Sequence, residues 1–478
     1  MKEIIVEVGM QYTRTALVED KELVEFYVEE NKQQSVVGNI YKGLIQKVIP
    51  GLGAAFIDVG EEKNAYLSLA EQPPVFWDSG ISPSTLKGGQ GVTVQAIKEG
   101  TEVKGITVTT HISLPGKFFV LLSDRGDIHV SKKIKEESER QRLIQIAQKY
   151  KKENHGVIIR TEAKERTEEE LRRDYLSLQK KWEDILKRQA YAMPKTLIHQ
   201  EFSSGLKNAR EFFTEEVDAY KINNQKLYEQ VRDFVSKFSP PLVHKVQYTE
   251  KDLFREYGLE LKVIKALKPK VWLKSGGTLF IEETEALTVI DVNSGKFIGK
   301  KNVEDTIVQT NLEAVEEIAK QVRLRNLSGI IIIDFIDMEK KIHQEHIFNA
   351  LKKAFEKDRV PTYVLGMTSL GLVEMTRKKM RNSLQLQLLQ PCSHCYGGKQ
   401  YGKAFLIPKI EKEILSIINN TSAKEILLEG SEEIIHAFEP YKKKFLKPLQ
   451  FQKNPYVSSL GYKVSPLFSF NEDKMIDK

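Results

Sequence analysis

Apolar and polar positions alternate, or run apolar over strand lengths, through residues 1–34, in EIIVEV, RTALVED and ELVEFYVEE, which predicts a β-meander. Residues 35–115 are also strand-rich, but short strands are broken by Gly51, Gly53 and Gly60, the pattern of a small barrel. Between 116 and 198, KFFVLL and HGVIIRT read as strands, and 136–151 and 168–189 as charged amphipathic helices. Thr167 before EEELRRD is a helix cap with acids in the first turn. Residues 199–266 read as helical in large part. From 267 the pattern sharpens: a hairpin around Gly276 and Gly277, a third strand ALTVIDV, then a helix over 305–327. Val308, Leu312, Val315, Ala319 and Val322 form one stripe of that helix. GIIIIDF, 329–335, reads as a fully buried strand, followed by a helix over 343–357 and a short strand YVLGMT. Strand, helix and buried strand in succession argue an α/β layer. A helical, basic tail is expected over 404–478.

Composition narrows the class. The 478 residues suggest several domains, and 41% hydrophobic with 29% charged residues excludes a fibrous or mostly disordered chain. The longest clear apolar run, Ile330–Ile333, is far short of a membrane span, and MKEIIVEVGM has no long apolar core of a secretory signal. Two cysteines exclude a disulfide scaffold and suit a reducing compartment. The net charge of +7 is mild, but basic residues cluster in Lys132–Lys152 and in KKKFLK, Lys442–Lys447, with Phe451 and Tyr456 nearby. Cations interleaved with rings suit nucleic acid; for each run alone a solvated helix face is the simpler reading.

Two acids have apolar neighbours: Asp291 closes LTVI and Asp334 closes IIII. In an α/β sheet ligands sit beyond the carboxyl ends of strands, so two such strands can bring two carboxylates to one rim. Paired carboxylates suit Mg²⁺, which keeps waters and takes substrate phosphate. Asn293 falls on the same side as Asp291, and Asp337 lies one turn past Asp334. The competing reading is that each Asp caps the next helix or turn. Cys392-Ser-His-Cys395 is a knuckle offering two thiolates, where structural zinc needs four ligands. Histidines could complete it, two chains could share one ion, or no metal binds. In the barrel, Phe56 and Tyr66, with Lys98 and Lys104 further on, suit base stacking and phosphate tracking; both rings could also be core.

Taken together, GNIYKGLIQKVIPGLGAAFIDVG, HGVIIRT, LTVIDVNSGKF, TNLEAVEEIAKQVRLRNLSGIIIIDFIDM, GLVEMTRKKM and CSHCYGG resemble the ribonuclease E/G family, in order from residue 1 to about 400. The resemblance implies a multidomain α/β chain with an inserted all-β OB-type barrel. A ribonuclease-H-like domain would be split over 1–34 and 199–266, around an OB-fold RNA-binding domain at 35–115 and a 5′-sensor region at 116–198. A deoxyribonuclease-I-like catalytic domain at 267–390, a zinc link at 391–398 and a small C-terminal domain at 399–478 would follow. It implies a cytoplasmic, Mg²⁺-dependent endoribonuclease. Single-stranded RNA would be cut to 5′-phosphate and 3′-hydroxyl ends, in ribosomal RNA maturation and messenger decay. Asp291 and Asp334 would hold Mg²⁺ with Asn293 in support; Phe56, Tyr66, Lys98 and Lys104 would touch RNA. Gly126, Val130, Arg160 and Thr161 would sense a 5′-monophosphate. Cys392 and Cys395 from two chains would share one Zn²⁺, giving a homodimer, with pairing into tetramers left open. Two departures bear on sensing: Glu162 stands where the pattern is small, and Pro361 where a basic residue is expected.

Overall fold

The computed structural model describes residues 1–31, 36–70, 72–73, 79–100, 104–123, 126–152, 155–202, 204–294, 303–356, 358–392, 395 and 398–468. The chain forms two compact units. One comprises Met1–Lys32, Val217–Asn224 and Tyr248–Lys478; the other comprises Gln33–Glu216 and Gln225–Gln247.

In the first unit the expected meander is present as Lys2–Val8, Tyr12–Glu19 and Glu22–Glu30, antiparallel throughout. A strand the sequence reading missed, Ala219–Ile222, lies parallel to Lys2–Val8 with Ile4 opposite Tyr220. The stretch read as largely helical thus also holds short strands, at Ala219–Ile222 and Val246–Tyr248, too short to register as alternation. The tail is corrected more fully. After the helix Lys403–Asn420 comes a three-stranded sheet, with Glu425–Gly430 between Leu449–Lys453 and Tyr462–Leu467. Its strands pack Ile426, Leu428 and Leu449 onto Ile434, Ile435 and Phe438, so burial, not helix propensity, decides that segment. Residues 469–478 of the expected tail lie outside the described residues.

The α/β layer of this unit is a six-stranded sheet. Its strands are labelled β1 (Lys270–Trp272), β2 (Thr278–Glu283), β3 (Leu287–Asn293), β4 (Gly329–Asp334), β5 (Thr362–Met367) and β6 (Val373–Arg377). The order across the sheet is β1-β2-β3-β4-β6-β5. Helix α1 (Val303–Leu324) makes the crossover from β3 to the parallel β4, and α2 (Lys341–Phe355) follows β4. The stripe expected on α1 is the face that packs, with Val315, Ala319 and Val322 buried against Ile290, Ile331 and Ile333.

β4 corrects the expectation of a fully buried strand. Ile331 and Ile333 are completely buried, whereas Ile330 is 50% exposed and Asp334 is exposed. The buried residues of β2 and β3, Leu279, Ile281, Ile290 and Val292, belong to the same core as α1 and α2. The opposite face of the sheet is open among the described residues. A run of four isoleucines therefore serves one core face and one bare face.

In the second unit, five strands close a barrel: Ile40–Ile49, Ala54–Asp58, Ala65–Ser68, Thr107–Thr109 and Gly91–Lys98, the last returning to the first. Gly43 lacks a side chain where a Cβ would meet Ile57 at 2.3 Å, so the first strand can cross close over the barrel core. A four-stranded sheet follows, in the order Ile128–Val130, Gly156–Ile159, Phe119–Leu122, Ser113–Pro115. The helix Glu168–Tyr191 packs on it and begins with the capping box expected at Thr167, which is reciprocated by Glu170.

Candidate active site

Register sets the site. Asp291 on β3 stands directly opposite Asp334 on β4, and opposite Phe280 on β2; Phe280 in turn stands opposite Lys270 on β1. Lys270, Phe280, Asp291 and Asp334 thus form one row across four adjacent strands. Side chains opposite each other share a face, and the open face is the one used here, because Ile290, Val292 and Ile333 point into the core. The sequence expectation that both acids share one rim near the carboxyl ends of their strands is met in this geometry.

Asn293, two residues on and on the same face, donates from Nδ2 to Asp291 Oδ2 at 2.6 Å. That bond engages one oxygen of Asp291. Burial, and then the charges of Asp291 and Asp337, push the Asp334 carboxyl above its ordinary value. Like charges on neighbouring strands repel, and a cation between them would relieve that repulsion. Among the described residues no group of three or more His, Cys, Asp or Glu is placed to hold one ion, so any ion here would rest on two carboxylates and an amide. That set fits Mg²⁺, which commonly takes one or two protein carboxylates and fills its shell with water and phosphate.

Asn311 escaped the sequence reading. It is completely buried on α1. Its Nδ2 donates to the Ile336 carbonyl at 2.8 Å, and its Oδ1 accepts from the Ile336 amide at 3.1 Å. The chain leaving Asp334 is clamped two residues on. A lone Asn within an apolar helix stripe was the available signal.

On the barrel, Phe56 and Tyr66 are register partners with ring centroids 6.1 Å apart and planes at 73°. Tyr66 is 37% exposed and Phe56 half-buried, so neither is a core ring. Lys47 stands opposite Phe56, Thr107 beside Tyr66, and Lys98 opposite Thr107. The row Lys47–Phe56–Tyr66–Thr107–Lys98 puts exposed lysines at both ends of an aromatic pair. Lys47 was missed because its meaning lies in the pairing. Lys104 is exposed in the turn before Thr107–Thr109.

Val130 ends a strand parallel to Gly156–Ile159, with Arg160 and Thr161 at the same end; Gly126 is exposed before it. Thr161 Oγ1 lies 2.9 Å from Ser131 Oγ. Arg160 donates to the Gly116 carbonyl at 2.9 Å and is paired with Glu211, and Glu162 Oε2 lies 3.8 Å from its Nε. Burial disfavours the Arg160 charge, but Glu211 and Glu162 outweigh it and hold the guanidinium above its ordinary value. Glu162, anticipated as a departure, therefore does sit on the guanidinium; Glu211 was not anticipated.

Cys392 and Cys395 are not joined in a disulfide. They lie at the tip of a hairpin formed by Leu389–Pro391 and Lys399–Tyr401, and the Cys392 amide donates to the Gly398 carbonyl at 2.8 Å. A Cβ at Gly398 would meet Cys395 Sγ at 2.2 Å, so a side chain there would displace the thiol. His394 and Ser393 lie outside the described residues. Lys149 and Lys152 pair with Glu168 and Glu183, and in KKKFLK Phe445 is buried, as is Tyr441 just before it.

These features define a chain with an acidic pair on an open sheet face and an aromatic row on a small barrel. Residues 113–380 match the model of the Ribonuclease E/G family. The chain is 36% identical over 451 residues to "Ribonuclease G" of Escherichia coli K12, covering 91% of this chain and 92% of that one. Against "Ribonuclease G" of Haemophilus influenzae the figures are 37% over 446 residues, 90% and 91%. Against "Ribonuclease E" of Nostoc sp. they are 33% over 404 residues, 83% and 58%. The chain belongs to the ribonuclease E/G family and is an endoribonuclease. No helix among the described residues is long and apolar enough to cross a membrane.

Proposed function

We propose that this chain hydrolyses single-stranded RNA at the Asp291–Asp334 pair with Mg²⁺, leaving 5′-phosphate and 3′-hydroxyl ends, on ribosomal RNA precursors and messengers. The observation that carries the reading is the register pairing of the two carboxylates on the open face, with Asn293 bonded to Asp291. Bound Mg²⁺ would polarise a phosphoryl oxygen and offset the charge of the transition state. Asp291 and Asp334 would hold it, and Asn293 would keep the Asp291 carboxylate turned towards Asp334. Water attacks phosphorus in line; the new bond is oxygen to phosphorus and the bond that breaks is phosphorus to the 3′-oxygen, which takes up a proton.

The barrel row Lys47–Phe56–Tyr66–Thr107–Lys98, with Lys104, suits a single strand, because rings stack on any base and lysines track phosphates. Arg160 and Thr161 would hold a 5′-phosphate only by competing with Glu211 and Glu162 for the guanidinium. Cys392 and Cys395 would supply two of four zinc ligands, the other two coming from a second chain in a homodimer.

The test is cleavage of a 5′-monophosphorylated single-stranded RNA and its triphosphate twin, with and without Mg²⁺, beside Asp334→Asn. Cutting that needs the metal and vanishes in the variant supports the proposal. Binding without cutting in the wild-type chain would sink it.

A further inference from the structure

The open sheet face holds more than the acidic pair. Phe280 is 36% exposed and stands opposite Asp291. An open hollow of about 350 Å³ beside Asp291 is lined by Phe280, Glu282 and Val289 as well. Its floor is apolar and its rim carries two carboxylates. Such a hollow rejects a phosphate and accepts a flat, neutral, apolar-faced group with polar edges, which describes a nucleobase. On the far side of Phe280, Lys270 Nζ lies 5.4 Å from the Phe280 ring centroid and 4.3 Å from that of Trp272, which is 66% exposed. Along one row the face therefore offers a cation, a ring and the two acids, in that order. Charge is sorted along the row as a strand would require: a phosphate at the acidic pair with its metal, a base on the ring, the next phosphate at the lysine. Neither Phe280 nor Lys270 was singled out in the sequence, and Phe280 takes no part in the hydrolysis described above.

We infer that Phe280 is a stacking platform for the nucleobase adjoining the scissile phosphate, and that Lys270 holds the following phosphate. This rests on the nuclease reading of Asp291 and Asp334, and the two can fail separately.

The experiment measures cleavage and, in an Asp334→Asn background, binding. The probes are a short single-stranded RNA and copies with one abasic nucleotide stepped across the positions flanking the cut. Phe280→Ala should lower kcat/KM about ten-fold on the intact RNA, the scale of losing one base–aromatic stack. One abasic position should cause the same loss in the wild-type chain and no further loss in Phe280→Ala. Phe280→Tyr should restore activity, and Lys270→Ala should lower the slope of log K against log salt by about 0.7. Equal kinetics for wild type and Phe280→Ala on every RNA would overturn the platform. So would a fall in sedimentation coefficient in Phe280→Ala with activity recovered at high protein concentration, which would make the face an interface between copies. A wild-type chain that binds but never cuts would remove the nuclease reading, while the abasic series in the Asp334→Asn background would still decide whether Phe280 carries a base.

Discussion

Asp334 sits where its own charge is least welcome, with Asp291 opposite and Asp337 beyond, and its carboxyl is pushed up accordingly. A carboxyl whose folded value lies above its unfolded one contributes stability at low pH and loses it as pH rises through the folded value. At neutral pH the ionised pair therefore costs stability. Asp334→Asn should cut cleavage by about 10²-fold or more, the scale of losing one electrostatic stabiliser, yet melt at a higher temperature than the wild type without divalent cation. Adding Mg²⁺ should raise the wild-type melting temperature and leave the variant's unchanged. A variant that melts lower in metal-free buffer would contradict the crowding of the two acids. Glu162 gives a second prediction at this scale. Its carboxylate lies on Arg160, which Glu211 already pairs. Glu162→Ala should increase the ratio of monophosphate to triphosphate RNA cleavage, by about the factor of five that 1 kcal/mol represents. An unchanged ratio would mean that Glu211 alone sets the guanidinium's availability. Both acids at the centre of the site were legible in the sequence, because an Asp closing an apolar run is conspicuous. Glu211 and Phe280 were not, because each acquires its meaning only from the partner that folding sets beside it.

At the scale of elements, the sheet's one-sidedness decides what the sequence could show. Four isoleucines in a row read the same whether helices cover one face or two, so Ile330 could not be told from Ile331. The stripe on α1 was legible because helical periodicity encodes its one packed face. Within that helix Asn311 clamps the Ile336 peptide through both a donor and an acceptor. Asn311→Ala would leave a partly buried amide and carbonyl unpaired, costing about 1–3 kcal/mol of stability. It should lower kcat more than it raises KM, since the segment leaving Asp334 loosens while the binding rows stay. Chemical denaturation and steady-state kinetics together check this, and a pure rise in KM would argue against it. In the other unit, burial and then the charge of Lys181 push His199 down to about 4, against an ordinary 6.5. Between those values the unfolded chain takes up a proton that the folded one refuses, so stability is intact above about 6.5 and falls as pH drops towards 4. His199→Gln should flatten that part of the stability–pH curve. A curve of unchanged slope would show that other groups set it.

At the scale of the molecule, the proposed zinc site would take two thiols from each chain. Cys392 and Cys395 stand at one short hairpin, and a side chain at residue 398 would meet the Cys395 thiol. Two thiolates cannot saturate a tetrahedral ion, and no third metal-binding side chain joins them among the described residues. Either a second knuckle completes the set, or the chain's own histidines do, or zinc binds weakly and is lost. The first case ties metal to assembly, because an ion shared by two chains stabilises the pair by mass action. The expected stoichiometry is one zinc for two chains, measured by metal analysis of protein whose mass is determined in the same buffer. Cys392→Ser, and separately Gly398→Val, should lose zinc and halve the mass, the second through steric conflict with Cys395 rather than loss of a ligand. Cleavage of a short RNA by either variant should persist at reduced rate, since Asp291, Asn293 and Asp334 belong to one chain. One zinc per chain, with the mass unchanged by Cys392→Ser, would refute the shared site and send the search for the remaining ligands to the chain's own histidines.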